Sequence, residues 1–89
     1  RYVRKGEVVA MTKLNNMNAE LLEFIVKPNS QVSNKKIKDL DFPRSAIIGG
    51  IIRYGKGLIA LGDFLIKPGD RIVVCCLPRS INKVEKLFL

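Results

Sequence analysis

Residues 57–74 run Gly-Leu-Ile-Ala-Leu-Gly-Asp-Phe-Leu-Ile-Lys-Pro-Gly-Asp-Arg-Ile-Val-Val, short apolar runs cut by residues that turn a backbone. The order reads strand, turn, short strand, turn, strand. The Lys67-Pro68-Gly69-Asp70 corner has a mechanical basis. Pro68 pre-sets the backbone angle of the second turn position, and Gly69 accepts the positive φ that a type II turn demands at the third. Gly62-Asp63 makes a second corner ahead of it. The expected strands are 58–61, a short 64–66, and 71–77.

Ahead of this stretch, residues 7–14 alternate weakly, with Val8, Ala10, Thr12 and Leu14 on one face. Asn15-Asn16-Met17-Asn18 is a turn cluster, because Asn tolerates left-handed angles. Residues 20–26 follow as a strand with Leu22, Phe24 and Val26 on one face, and the two segments are expected to pair as a hairpin. Good helix formers also run from Asn18 to Glu23, so a helix is the alternative there. Ser33 is placed to cap a short helix over 34–40, with Val32 and Ile37 as a hydrophobic staple. Ile37 and Leu40 would form its buried stripe, with Lys35, Lys36, Lys38 and Asp39 facing water. Pro43 stops it. Residues 46–54 are strand-like and apolar on both faces, which predicts cover above and below. Gly49-Gly50 in the middle implies a bulge or a close backbone approach. Tyr54-Gly55-Lys56-Gly57 connects to the next strand. At the end of the chain, Ser80 is a natural N-cap for an amphipathic helix with Ile81, Val84, Leu87 and Phe88 on one side. The whole predicts an α+β domain, a small mixed or antiparallel sheet with two short helices in the order β-β-α-β-β-β-β-α.

Eighty-nine residues make one domain. A chain this short buries roughly 60–65% of its surface, so a partner is an expected source of further stability. The longest apolar run, 46–52, falls far short of the ~20 residues of a membrane span. The chain opens on Arg1 rather than Met, with no apolar run behind Arg1-Tyr2-Val3-Arg4-Lys5, and reads as a piece of a longer protein. Its net charge of +8 has two readings. One is a contact with nucleic acid or a membrane surface. The other is a set of solvated faces balanced by acids elsewhere in the longer protein. The cations are scattered except at Lys35-Lys36-Lys38, and aromatic rings do not interleave with them as a stacking platform requires. Adjacent Cys75 and Cys76 point to opposite faces of a strand. Two thiolates without a histidine make no zinc site, and the expectation is a pair of reduced thiols in a cytosolic protein.

Catalysis finds little footing. The chain has no His, which removes imidazole acid–base and triad chemistry. Ser45 and Ser80 have no visible base, and Asp39 and Asp41 lie two apart at a helix end. The glycines lack the dinucleotide and phosphate-loop patterns. The expectation is no enzyme activity, no metal and no cofactor in this chain.

In their order and spacing, several segments resemble the TrkA-C (RCK-C) family, the C-terminal regulatory domains of potassium-uptake regulators. Glu20-Leu21-Leu22-Glu23-Phe24-Ile25-Val26 is similar to its opening strand. Lys36-Ile37-Lys38-Asp39-Leu40-Asp41-Phe42-Pro43 resembles its helix and stop, and Ala46-Ile47-Ile48-Gly49-Gly50-Ile51-Ile52-Arg53 its buried strand ending in Arg. Gly62-Asp63 and Pro68-Gly69-Asp70 match its paired corners, and Val84-Glu85-Lys86-Leu87-Phe88 its terminal helix. Where many members carry a proline before the first corner, this chain has Ala60, which leaves that turn less constrained.

The resemblance implies one TrkA-C domain over 1–89, with 1–18 a linker or hairpin from a preceding domain. It implies a longer Trk-type regulator, cytoplasmic, at the inner face of a membrane potassium transporter. NAD or ATP would belong to a Rossmann domain outside this chain. The resemblance further implies a homodimer that takes a small anionic effector, such as a cyclic dinucleotide, where two copies meet. Arg44, Ser45, Ile47 and the Ile48 backbone would line that pocket, with Arg53 a second basic contact. Arg44 and Arg53 also read, respectively, as a loop arginine and a rim charge in solvent. The rival reading is a small basic nucleic-acid-binding module, whose binding would weaken steeply with salt.

Overall fold

The computed structural model of the chain describes residues 8–13, as backbone, and 18–89. Among the described residues five strands form one sheet: β1 (Val8–Lys13), β2 (Glu20–Ile25), β3 (Ala46–Arg53), β4 (Lys56–Leu58) and β5 (Arg71–Cys76), and a helix, α1 (Ile81–Leu87), follows them. The spatial order is β1-β2-β5-β3-β4, and every pair is antiparallel. The α+β expectation holds, with an antiparallel rather than a mixed sheet. Of the Asn-rich turn expected at 15–18, only Asn18 lies within the described residues.

The last strand in sequence sits in the centre of the sheet, and the Pro-Gly corner delivers it there. Gly69 takes φ +90, the Asp70 amide donates to the Lys67 carbonyl at 3.1 Å, and the Gly69 amide and Asp70 carbonyl bond the Val26 backbone at 2.8 Å each. The chain thus turns and pairs with the end of β2 in one step. Strand alternation then places Leu22 and Phe24 of β2, and Ile72, Val74 and Cys76 of β5, on one face. Helix α1 closes that face with Ile81, Val84 and Leu87, followed by Phe88. The Phe24 and Phe88 rings stack with centroids 4.3 Å apart. Such a pair stabilises by about 0.5–1.5 kcal/mol beyond its burial. Cys75, half-buried, faces away from buried Cys76, as a vicinal pair in a strand must.

The short helix expected at 34–40 is a single 3-10 turn, Ile37–Asp39. The reason is competition for its backbone. Asn34 takes φ 60 and Lys36 is extended. The amides of Asn34, Ile37 and Lys38 donate to the carbonyls of Ile66, Phe64 and Gly62 at 2.8, 3.1 and 2.9 Å. The returning segment 62–66 therefore takes the Ile37 and Lys38 donors that a helix would have needed, and Ser33 caps nothing. The same pairing corrects the strand expected at 64–66. It stands outside the sheet and meets the 34–38 loop through one bridge, Lys36 to Leu65. The lysines at 35, 36 and 38 remain exposed.

Two further expectations change. Ser80 ends a 3-10 turn (Pro78–Ser80) that runs into α1, and it makes no side-chain cap bond. Its hydroxyl instead shares a hydrogen bond with the Ser45 hydroxyl, tying the start of β3 to the start of the helix. β3 is not covered on both faces. Ala46 and Ile51 are in the core, but Ile47 is 63% exposed. The helix, together with Val32, Ile37, Leu40, Phe42, Phe64 and Ile66, packs on one face, whereas on the other Ile47 is left exposed.

Gly49-Gly50 serves a bulge, and the ladder with β5 shifts between Ile48 and Gly50. A side chain at Gly49 would meet nothing closer than 3.8 Å, so the glycines do not mark a tight backbone approach. The extra residue resets the alternation. Ala46 and Ile48 face the helix side before the bulge, and Ile51 and Arg53 face it afterwards. The strand then turns through Tyr54 (φ 52) and Gly55 (φ 77), a two-residue type I′ turn. β4 begins at Lys56, inside the longer connection that the sequence suggests.

Candidate functional site

The two ends of β3 carry different chemistry. At its start lies an apolar pocket of about 210 Å³, walled by Ile37, Phe42, Ala46, Ile47, Ile48 and Ala60. Three elements meet there: the 3-10 turn gives Ile37, the approach to Pro43 gives Phe42, and the chain leaving β4 gives Ala60. Ile47 is 63% exposed, and Ile59 and Leu61, on either side of Ala60 in the chain, are 78% and 66% exposed. Arg44 stands two residues before the wall residue Ala46. It is exposed and forms no salt bridge among the described residues.

At the far end of β3, Arg53 forms a fork with Asp70. Its Nε donates to Oδ1 at 2.8 Å and an Nη donates to Oδ2 at 2.7 Å. The same Nη also donates to the Leu65 carbonyl at 2.9 Å, and the guanidinium lies over the Phe64 ring, 4.8 Å from its centre. Asp70 additionally accepts the Lys67 backbone N–H at 2.9 Å. Burial alone would push the Asp70 carboxyl up. The bonds from Arg53 and Lys67 outweigh it and hold the carboxyl below its ordinary value. The hydrogen bond to Asp70 likewise raises Arg53. This is a planar, bidentate pair that lysine could not reproduce.

The four site residues read from the sequence therefore separate. Ile47 lines the pocket together with Ile48, and Arg44 is next to it in the chain. Ser45 adjoins them, but its hydroxyl is turned to Ser80. Arg53 lies about 20 Å along the strand, seven residues from Ala46 at ~3.3 Å each, with its guanidinium engaged by Asp70. The sequence did not single out Ile37, Phe42 and Ala60 as pocket walls. Two of them read as helix and loop residues, and their meeting depends on the 62–66 segment displacing the helix.

The model of the TrkA-C domain matches residues 21–89, and the chain belongs to the TrkA-C domain family. This is a regulatory rather than a catalytic family. Similar curated proteins include the Trk system potassium uptake protein TrkA of Haemophilus influenzae, 34% identical over 98% of this chain and 20% of that protein. The TrkA of Halomonas elongata is 33% identical over the same shares, and TrkA homolog 1 of Methanosarcina mazei is 28% identical over 91% of this chain and 18% of that protein. The chain thus spans about a fifth of the length of these relatives. Among solved structures, an RCK domain with cda superposes with a TM-score of 0.65 at 23% identity, covering 78% of this chain and 97% of that one. Among the described residues, no helix is long and apolar enough to cross a membrane.

Proposed function

We propose that this domain is the effector-sensing and pairing module of a cytoplasmic regulator of potassium uptake, acting on a membrane transporter through the longer protein. The pocket at the start of β3 carries the reading. Its 210 Å³ falls below the roughly 300–1,000 Å³ of a complete small-molecule site. Its wall residue Ile47 is itself exposed, as are Ile59 and Leu61, the chain neighbours of wall residue Ala60. A half-site of this kind suits completion by a second copy about a two-fold axis, with a symmetric ligand shared between the halves. The bases or rings of a cyclic dinucleotide would enter the apolar walls. Arg44 of each copy would hold a phosphate through forked, charge-assisted bonds.

Effector binding regulates only if it favours one arrangement of the pair over another. Membership of the TrkA-C family and similarity to TrkA proteins support the assignment to potassium uptake. Any NAD or ATP would bind in a domain outside this chain. The test is calorimetric titration of the domain with cyclic dinucleotides. The expected result is saturable binding with one ligand per two chains, weakened by about 1.5–3 kcal/mol in Arg44→Ala. Binding indifferent to Arg44, or none to any cyclic dinucleotide, would overturn the effector assignment.

A further inference from the structure

We propose that the groove between the Tyr54-Gly55 and Pro68-Gly69 turns docks an acidic segment of a partner protein. The groove lies at the opposite end of β3 from the apolar pocket. It holds about 350 Å³ and is lined by Arg53, Tyr54, Lys67, Pro68, Gly69 and Asp70. Its charge is one-sided. Asp70, the carboxylate on its wall, is buried and occupied by Arg53 and by the Lys67 amide. Lys67 forms no salt bridge among the described residues. Neither does Lys56, which sits directly opposite Arg53 in the β3–β4 register and so on the same face.

Tyr54 supplies the second observation. Its side chain is 98% exposed, so it supports no packing in this fold. It also sits at φ 52, a conformation that suits Asn, Asp or Gly and costs a bulky residue. A large ring held in the less favoured backbone state at a hairpin tip, near cations that form no salt bridge, has the composition of a binding anchor. The shape selects the occupant. A concave groove between two turns admits an extended chain and not the flat surface of a bilayer. One ring and two lysines are too short a track for nucleic acid, which needs successive cations and stacking platforms. An acidic peptide segment with an apolar side chain fits both the charge and the ring.

The test is an amide-resolved NMR titration of the 89-residue chain at low salt, with a short peptide of alternating Glu and Leu as the probe. The expected shifts cluster at residues 53–57 and 67–70. Tyr54→Asn is expected to melt no lower than the parent yet bind about fivefold more weakly. Lys56→Glu with Lys67→Glu is expected to abolish binding. Lys35→Glu with Lys36→Glu removes the same charge elsewhere and is expected to change binding by less than about twofold. Shifts spread over all the lysines, or equal losses in the two lysine pairs, would overturn the proposal. So would tighter binding at the same residues by single-stranded DNA or by vesicles containing phosphatidylserine.

Discussion

Asp70 joins four parts of the molecule through one carboxylate and its own backbone: the end of β3 through Arg53, the corner through the Lys67 amide, the end of β2 through Val26, and the start of β5 by position. Replacing it with Asn leaves the Arg53 guanidinium without its counter-charge. Asp70→Asn is expected to lower stability by about 3 kcal/mol in urea unfolding, the lower end for a broken buried pair, because Arg53 keeps some contact with water. The pH dependence follows from the depressed carboxyl. A carboxyl held lower in the folded than in the unfolded chain contributes stability above its unfolded value, ~3.9, and loses it as pH falls through the folded value. The urea midpoint is therefore expected to be insensitive to this group above about pH 5 and to drop below about pH 4. In Asp70→Asn that part of the acid drop should vanish. The sequence marks Asp70 as a turn residue and Arg53 as a strand-end cation. Their pairing depends on the bulge at Gly49-Gly50, which turns Arg53 to the helix side; the two glycines mark that place in the sequence but fit a close backbone approach as well as a bulge.

At the scale of elements, periodicity was most readable where an element packs along its whole length. Leu22, Phe24 and Val26, and Ile81, Val84, Leu87 and Phe88, are all buried as their spacing predicts. It misled at 34–40, where caps and staple favoured a helix but the 62–66 segment offered better-placed carbonyls. Ser80 illustrates the same limit, since a hydroxyl that can cap can also bond elsewhere, as it does with Ser45. The closing helix has only seven residues, too few to hold itself together in water, so its packing must supply the stability. The Phe24–Phe88 stack is part of that packing. Phe88→Ala is expected to destabilise by about 3–5 kcal/mol. Amide exchange should show α1 loosening before the central strands.

For the molecule as a whole, the α+β class and the family were legible from the turn spacing and the segments around it, while the sheet stayed open between mixed and antiparallel, which the strand pairing decides. The candidate pocket was legible in part, through Ile47 and Ile48, while its remaining walls emerge from long-range pairing. The apolar run at 46–52 predicted cover on both faces, and one chain supplies it on one face. The open face of β3 at Ile47 is where a second copy would supply the rest. Sedimentation velocity over a wide concentration range, with and without a cyclic dinucleotide, measures this directly. The expected result is a monomer–dimer equilibrium drawn toward dimer by the ligand, and a chain that stays monomeric under both conditions when Ile47→Glu places a charge in the contact. A parent chain that is monomeric at every concentration with ligand present, or an Ile47→Glu variant that pairs as well as the parent, would contradict it.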